Sequence, residues 1–258
     1  MNYGYLVVEG HHDAEVIGKF LRRRNLTSVT KFDTLDQYWK PLVPKEFPPG
    51  GDLMKRVQVP LFFQNDRYSI AIQIAGGGLE EIKRKLEATI ENYETLRRDV
   101  VGIGIIVDAD YKHRGAKDKF KEFKKELVHS IRLPNTPGKV LDSKPKSGIF
   151  IFPDNKKPGT IEKMLLKCGH EMYPDILDGA EHFVNAINLN SLHAKDKEEF
   201  IRPAGKDKAI IGCVANILRP GKAVQVSIHD NGWISDQTIG IPEVADLNRF
   251  LEELFELP

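Results

Sequence analysis

Hydrophobic positions along this chain fall into short unbroken runs, most of them followed by a stretch in which apolar residues recur every three or four positions. Tyr5-Leu6-Val7-Val8 reads as a buried strand, and Val16, Ile17, Phe20 and Leu21 follow at helical spacing after Asp13. Residues 69–74 predict the next strand, ended by Gly76-Gly77-Gly78. The charged segment 79–96 then carries Ile82, Leu86, Ile90 and Tyr93 on one helical face. Residues 100–107 form a near-continuous apolar run of the kind found in strands buried on both faces, and it stops abruptly at Asp108-Ala109-Asp110. Beyond it the pattern predicts a basic helix over about 116–131, a strand over 148–152 and a β-like run at 224–228. A closing helix carries Leu247, Phe250, Leu251, Leu254 and Phe255. The stretch at about 25–68 is different. Pro41, Pro44, Pro48, Pro49, Gly50 and Gly51 interrupt regular elements there, which predicts an insertion or lid. No repeat of fixed period is present.

Strands alternating with helices place the chain in the α/β class, with a mostly parallel central sheet, helices on both faces and right-handed crossovers. The expected organisation is a core over 1–157, enlarged by the insertion, and a C-terminal α+β extension over 158–258. Composition narrows the function. With 38 Lys+Arg against 37 Asp+Glu the net charge is +1, so bulk electrostatics do not make this a general nucleic-acid binder. A mean hydropathy of −0.36 and the lack of any long apolar window argue against a membrane span. The opening Met1–Tyr5 has no basic region or cleavage site of a signal peptide and is expected to belong to the fold. Cys168 and Cys213 alone supply neither a disulfide framework nor a thiolate zinc site, which predicts a reducing cytoplasm.

In parallel α/β sheets ligands bind beyond the carboxyl ends of the strands. Acids stand at those ends: Glu9 after the first strand, Asp108 and Asp110 after the third. Like charges about 4 Å apart repel by roughly 1 kcal/mol in water and several times that near a protein surface, so a bound cation or raised pKa values would relieve them. Oxygen-only ligands with one open side suit Mg²⁺ or Mn²⁺. Each acid also has a plainer reading, Glu9 as a solvent-facing strand end, Asp13 as a helix cap, and Asp108 and Asp110 as turn formers.

Leu6-Val7-Val8-Glu9-Gly10-His11-His12-Asp13 resembles the first motif of the Toprim family, and Ile105-Ile106-Val107-Asp108-Ala109-Asp110 resembles its Asp-x-Asp motif, with Gly76-Gly77-Gly78 at the intervening turn. The resemblance spans about 2–154. It implies the Rossmann-like, metal-dependent phosphodiester fold shared by topoisomerases, bacterial primases, recombination mediators and nucleases of the overcoming-lysogenization-defect type. The segment from Pro158 to Leu166, with Glu162, is similar to the additional acid-bearing segment of those nucleases, and Gly205-Lys206-Asp207-Lys208-Ala209 to their downstream lysine. Small stand-alone Toprim-like proteins of unknown function are the nearest in kind.

The resemblance implies one or two Mg²⁺ or Mn²⁺ ions. Glu9, Asp108 and Asp110 would hold the first, and Asp13 and Glu162 with a shared Asp would assemble the second. Glu9, Asp108, Asp110 and Lys208 would carry catalysis, with Lys206 an equal candidate for the lysine role. No Ser or Tyr stands out as a covalent nucleophile, Tyr111 included, which points to hydrolysis of DNA or RNA by an activated water. Lys112, Arg114 and Lys117 open a basic stretch, continued by Lys119, Lys121, Lys124 and Lys125, that suits a phosphate backbone. The same run also reads as a solvated helix face. There is no Walker motif, so any ATPase in the same system would be a separate partner chain. The competing expectation is a Toprim-like regulatory or binding subunit acting with such a partner. A haloacid-dehalogenase-like phosphatase fits less well, because its Asp-x-Asp stands near the first strand and is followed by Thr or Val rather than Tyr111-Lys112.

Overall fold

The structure is a computed structural model that describes residues 1–44, 59–92, 99–112 and 114–258. Within these, strands β1 (Asn2–Val8), β2 (Thr27–Val29), β3 (Leu61–Gln64), β4 (Tyr68–Ile74), β5 (Val100–Asp108), β6 (Val140–Leu141) and β7 (Lys146–Phe152) form one sheet in the order β2-β3-β4-β1-β5-β7-β6. The helices are α1 (His11–Arg22), α2 (Leu79–Asn92), α3 (Ala116–Glu126), α4 (Ile161–Met172), α5 (Pro174–Asn185), α6 (Ala194–Ile201), α7 (Gly205–Leu218), α8 (Val224–Asp230) and α9 (Pro242–Phe255). This is the expected α/β fold. β1 runs parallel to both β4 and β5, while β2, β3 and β6 add antiparallel pairs at the two edges.

The chain gathers into two compact units, each discontinuous in sequence. The first comprises Met1–Val107, Phe120–Phe150 and Arg249–Pro258, and the second Asp108–Lys119 and Ile151–Asn248. In the first unit the central strands are apolar on both faces, and Tyr5, Leu6, Val7 and Val8 are all buried. Successive strand residues point to opposite faces. The Tyr5 hydroxyl meets Thr89 of α2 at 2.9 Å, whereas a Cβ on neighbouring Gly4 would strike the Phe255 ring, so helices cover both faces as expected. Gly102 and Gly104 of β5 let the end of α9 approach closely. A Cβ on Gly102 would lie 2.1 Å from the Leu254 carbonyl oxygen, and one on Gly104 would lie 2.5 Å from the Leu254 side chain. The Gly-Ile-Gly pattern inside an otherwise apolar strand thus records a helix laid against backbone.

Three expectations are corrected. The segment at 25–68 is not only an insertion, because it supplies β2 and β3 and buries Leu26, Leu35, Trp39, Phe62 and Phe63. Trp39 Nε1 donates to Ser69 Oγ at 2.9 Å. Its core residues are spaced without a period, which hides them from pattern reading. The predicted prolines and glycines at 48–51 lie outside the described residues. The run at 224–228 is helix α8, not β, and buries consecutive Ser227 and Ile228, which a strand with one buried face cannot do. Ser227 Oγ accepts from Trp233 Nε1 at 3.1 Å. β-Branched residues gave that run its strand-like look, and packing overrode them. Helix α3 ends at Glu126, short of the expected 131.

The second unit is mostly helical. Cys168 is buried there, and burial pushes its thiol up to about 12. No helix among the described residues is long and apolar enough to cross a membrane.

Candidate functional site

Glu9 extends β1 by one residue and is clasped from both sides. Its N–H donates to the Ile106 carbonyl at 3.2 Å and its own carbonyl accepts from Gly76 N–H at 3.0 Å. The glycine turn after β4, with Gly76 at φ +78°, thereby holds the end of β1, which is the tight-turning role its composition suggests. Asp13 is buried in the first turn of α1, where its Oδ2 accepts from Gly10 N–H at 2.7 Å. It serves the helix start, as the plainer reading of a capping Asp has it. Both residues belong to the first unit.

The remaining candidates lie in the second unit, and its segment 159–162 gathers three of them. Asp108 Oδ1 accepts from the Ile161 N–H at 2.8 Å, so its carboxylate sits at the positive end of α4, whose N-cap Thr160 makes no side-chain cap bond. Asp110 adopts a left-handed conformation, φ +58°, and exchanges two backbone hydrogen bonds of 3.0 Å with Gly159. Asp is one of the few side-chain-bearing residues that takes this conformation readily. Glu162 lies in the first turn of α4 and is 2% exposed, a deep position for a carboxylate.

Lysines accompany these acids. Lys119 Nζ is 2.8 Å from Asp110 Oδ2, Lys163 Nζ is 2.9 Å from Asp207 Oδ2, and Lys208 Nζ is 3.8 Å from Glu162 Oε1. Lys206, the other lysine candidate, places its Nζ 3.3 Å from Asn185 Oδ1. The Asp207 hydrogen bond raises Lys163, against burial, which lowers it. Burial raises the Tyr111 phenol, with Lys163 opposing and Asp207 and Glu162 reinforcing the shift, so this tyrosine stays protonated beside the cluster. Of the basic stretch, Lys112, Arg114 and Lys117 are exposed, as a backbone contact would need, and His113 lies outside the described residues. Lys119 departs from the expected solvated face, being only 6% exposed and turned to Asp110. The pairing of Lys119 with Asp110 and of Lys163 with Asp207 is not visible in the local sequence, where nothing distinguishes these charges from others.

Among the described residues no three His, Cys, Asp or Glu side chains form a ready metal cage. The candidate acids offer carboxylate oxygens, the donor type that hard cations take, and one of them, Asp110, is ion-paired to Lys119.

Residues 3–256 match the model of a family described as Protein of unknown function (DUF3226), and the chain belongs to that family. Among solved structures it is similar to the crystal structure of hypothetical protein PH0156 from Pyrococcus horikoshii OT3. The TM-score is 0.54 at 18% identity, over 98% of this chain and 95% of that one, a likeness of fold. No curated protein matches the sequence.

Proposed function

We propose that this member of the DUF3226 family is a Toprim-type hydrolase of nucleic-acid phosphodiester bonds that works with one or two Mg²⁺ or Mn²⁺ ions. The observation that carries the reading is the placement of acids at strand ends. β1 and β5 are parallel neighbours, Glu9 is the first residue beyond one, and Asp108 is the last of the other with Asp110 two residues on. Carboxyl ends of parallel strands are where α/β sheets bind ligands.

The sequence resemblance assigns Glu9, Asp108 and Asp110 to a first ion, and Asp13 and Glu162 with a shared Asp to a second. A bound divalent ion supplies neutralisation of phosphate charge and a water acidic enough to attack near neutral pH. Lys208, whose side chain is 59% exposed, can leave Glu162 for a phosphate oxygen as charge builds there. Lys112, Arg114 and Lys117, all exposed, are the proposed contacts to the phosphate backbone.

The test uses purified chain, single- and double-stranded DNA and RNA, and Mg²⁺, Mn²⁺ or EDTA. Metal-dependent cleavage that drops at least ~100-fold in both Glu9→Ala and Asp108→Ala supports the reading, since losing one such group typically costs two to three orders of magnitude. Full retention in either variant rejects it. The Lys119–Asp110 pair favours a second reading, a regulatory or binding subunit that acts with a partner such as a separate ATPase. Nucleic-acid binding indifferent to metal, with no cleavage, would select that one.

A further inference from the structure

We propose that the cleft between the turn at 143–145 and the segment that follows α3 is a binding site for a nucleoside monophosphate. None of its residues takes part in the proposed hydrolysis, so binding here and metal-dependent cleavage stand or fall separately.

The cleft lies within the first compact unit, near the starts of β5 and β7, and holds about 300 Å³, at the lower end of the range for small-molecule pockets. Ile103, Ile131 and Pro145 make part of its wall apolar. Arg132 and Lys144 border it and are exposed, and among the described residues neither side chain has a hydrogen-bond or ion-pair partner. None of the described residues lining it is Asp or Glu; Glu87, which accepts from Ser130, is not part of the lining. Two positive charges thus border the cleft without an acid in its wall. A phosphate monoester, at about −1.5 to −2 near neutral pH, matches both, whereas a carboxylate or a phosphodiester matches only one. Three hydroxyls complete the wall, and each has already given its proton away. Ser130 Oγ donates to Glu87 Oε1 at 2.8 Å, Ser143 Oγ to the Pro145 carbonyl at 2.7 Å and Ser147 Oγ to the Arg132 carbonyl at 2.6 Å. A hydroxyl has one proton and two lone pairs, so toward a ligand these oxygens accept, and the ligand must bring N–H or O–H donors. Two of the same bonds hold the segments that carry the cations, since Ser147 ties down the Arg132 backbone and Ser143 closes the turn around Lys144. The site is therefore formed before a ligand arrives, which lowers the cost of binding. A nucleoside monophosphate unites the three requirements: a doubly charged phosphate, ribose hydroxyl donors and a flat base for the apolar wall. Sugar phosphates lack the last, and the internal phosphates of a nucleic-acid strand lack the second charge.

Isothermal titration calorimetry of the purified chain with AMP, GMP, CMP and UMP, in EDTA so that no metal contributes, tests this. At least one of the four should bind with a Kd below ~1 mM. The cyclic 3′,5′-diester of that nucleotide, which keeps the body and loses one charge, should bind at least ~5-fold more weakly. Arg132→Gln and Lys144→Gln should each weaken binding by a similar factor, and the double variant, checked for wild-type circular dichroism, should abolish it. Absence of binding by all four at millimolar concentration, or binding unmoved in the double variant, overturns the proposal. Inorganic phosphate binding as tightly as the nucleotide overturns it as well, leaving an anion site without a place for the base. Wild-type protein supplies a measurement that needs no variant. Acetylation of Lys144 by an N-hydroxysuccinimide ester, read by peptide mass spectrometry, should fall several-fold in the presence of the nucleotide that binds, and an unchanged rate would place that nucleotide elsewhere and reject the assignment.

Discussion

Two pairs of residues spaced i, i+2 stand along β5 and its exit, and they meet opposite surroundings. Gly102 and Gly104 floor the approach of α9, where the Leu254 backbone and side chain leave no space for a Cβ. Asp108 and Asp110 leave the strand and take up a helix N-terminus and an ammonium. The first region is held by shape. Neutral pairs, Trp39 with Ser69 and Tyr5 with Thr89, join buried polar groups in the same unit. The second region is held by balance of charge. It buries Glu162, Asp207 and Lys119, groups that fold only when compensated. The contrast is between packing by shape and pairing of buried charge, and the proposed function draws on the second.

Variants in each region should therefore fail in different ways. The largest effect is expected at the packed face. Gly102→Ala must push Leu254 and the end of α9 away, and overpacking of this kind costs ~1–3 kcal/mol. Phe250→Ala, which empties a ring packed against Phe150 at 5.7 Å, should cost ~3–5 kcal/mol. Urea unfolding followed by circular dichroism measures both, and an unmoved Gly102→Ala midpoint would break the shape argument. A middle-sized effect is expected from Asp108→Ala, which removes the acceptor at the start of α4 and should lower stability by ~0.5–2 kcal/mol in the same experiment. The proposed function requires this variant to lose cleavage by far more than so modest a destabilisation explains.

The smallest effect concerns pH. Lys163 is raised in the folded state by its hydrogen bond to Asp207. The resulting stabilisation is complete below the ordinary lysine value near 10.4 and is lost as pH climbs through the raised one. Half-exposure keeps it under ~1 kcal/mol. Tyr111, also raised, loses stability in the same direction above about pH 10, the ordinary phenol value. The stability gap between wild type and Asp207→Asn should accordingly be visible at pH 8 and shrink by pH 11.5. A gap that widens on alkaline titration would mean that Lys163 draws its stabilisation from another group.

Much of the sheet was legible because its strands carry an unambiguous signal. β1, β4, β5 and β7 are apolar runs bounded by glycine or acid, and the alternation with α1, α2 and α3 implies a parallel core. β2 and β3 were illegible because they are short edge strands whose buried aromatics, Phe62 and Phe63, are adjacent rather than alternating. The location of Glu9 and Asp108 at strand ends followed from the same runs. The use of Asp108 at the head of α4 did not, since that hydrogen bond joins residues 53 apart. Nor could a reading of Lys119 among seven neighbouring basic residues single out the one that turns inward.

Local pattern determined the class of this protein: which segments are apolar enough to be strands, where they stop, and that acids stand where they stop. These are properties of short stretches and survive without a partner. Tertiary structure alone decided which glycines floor a helix, that the run at 224–228 coils, and which lysine answers which acid. Each of those depends on atoms brought together across tens of residues, where the cost of leaving a buried charge alone or a gap unfilled selects the pairing.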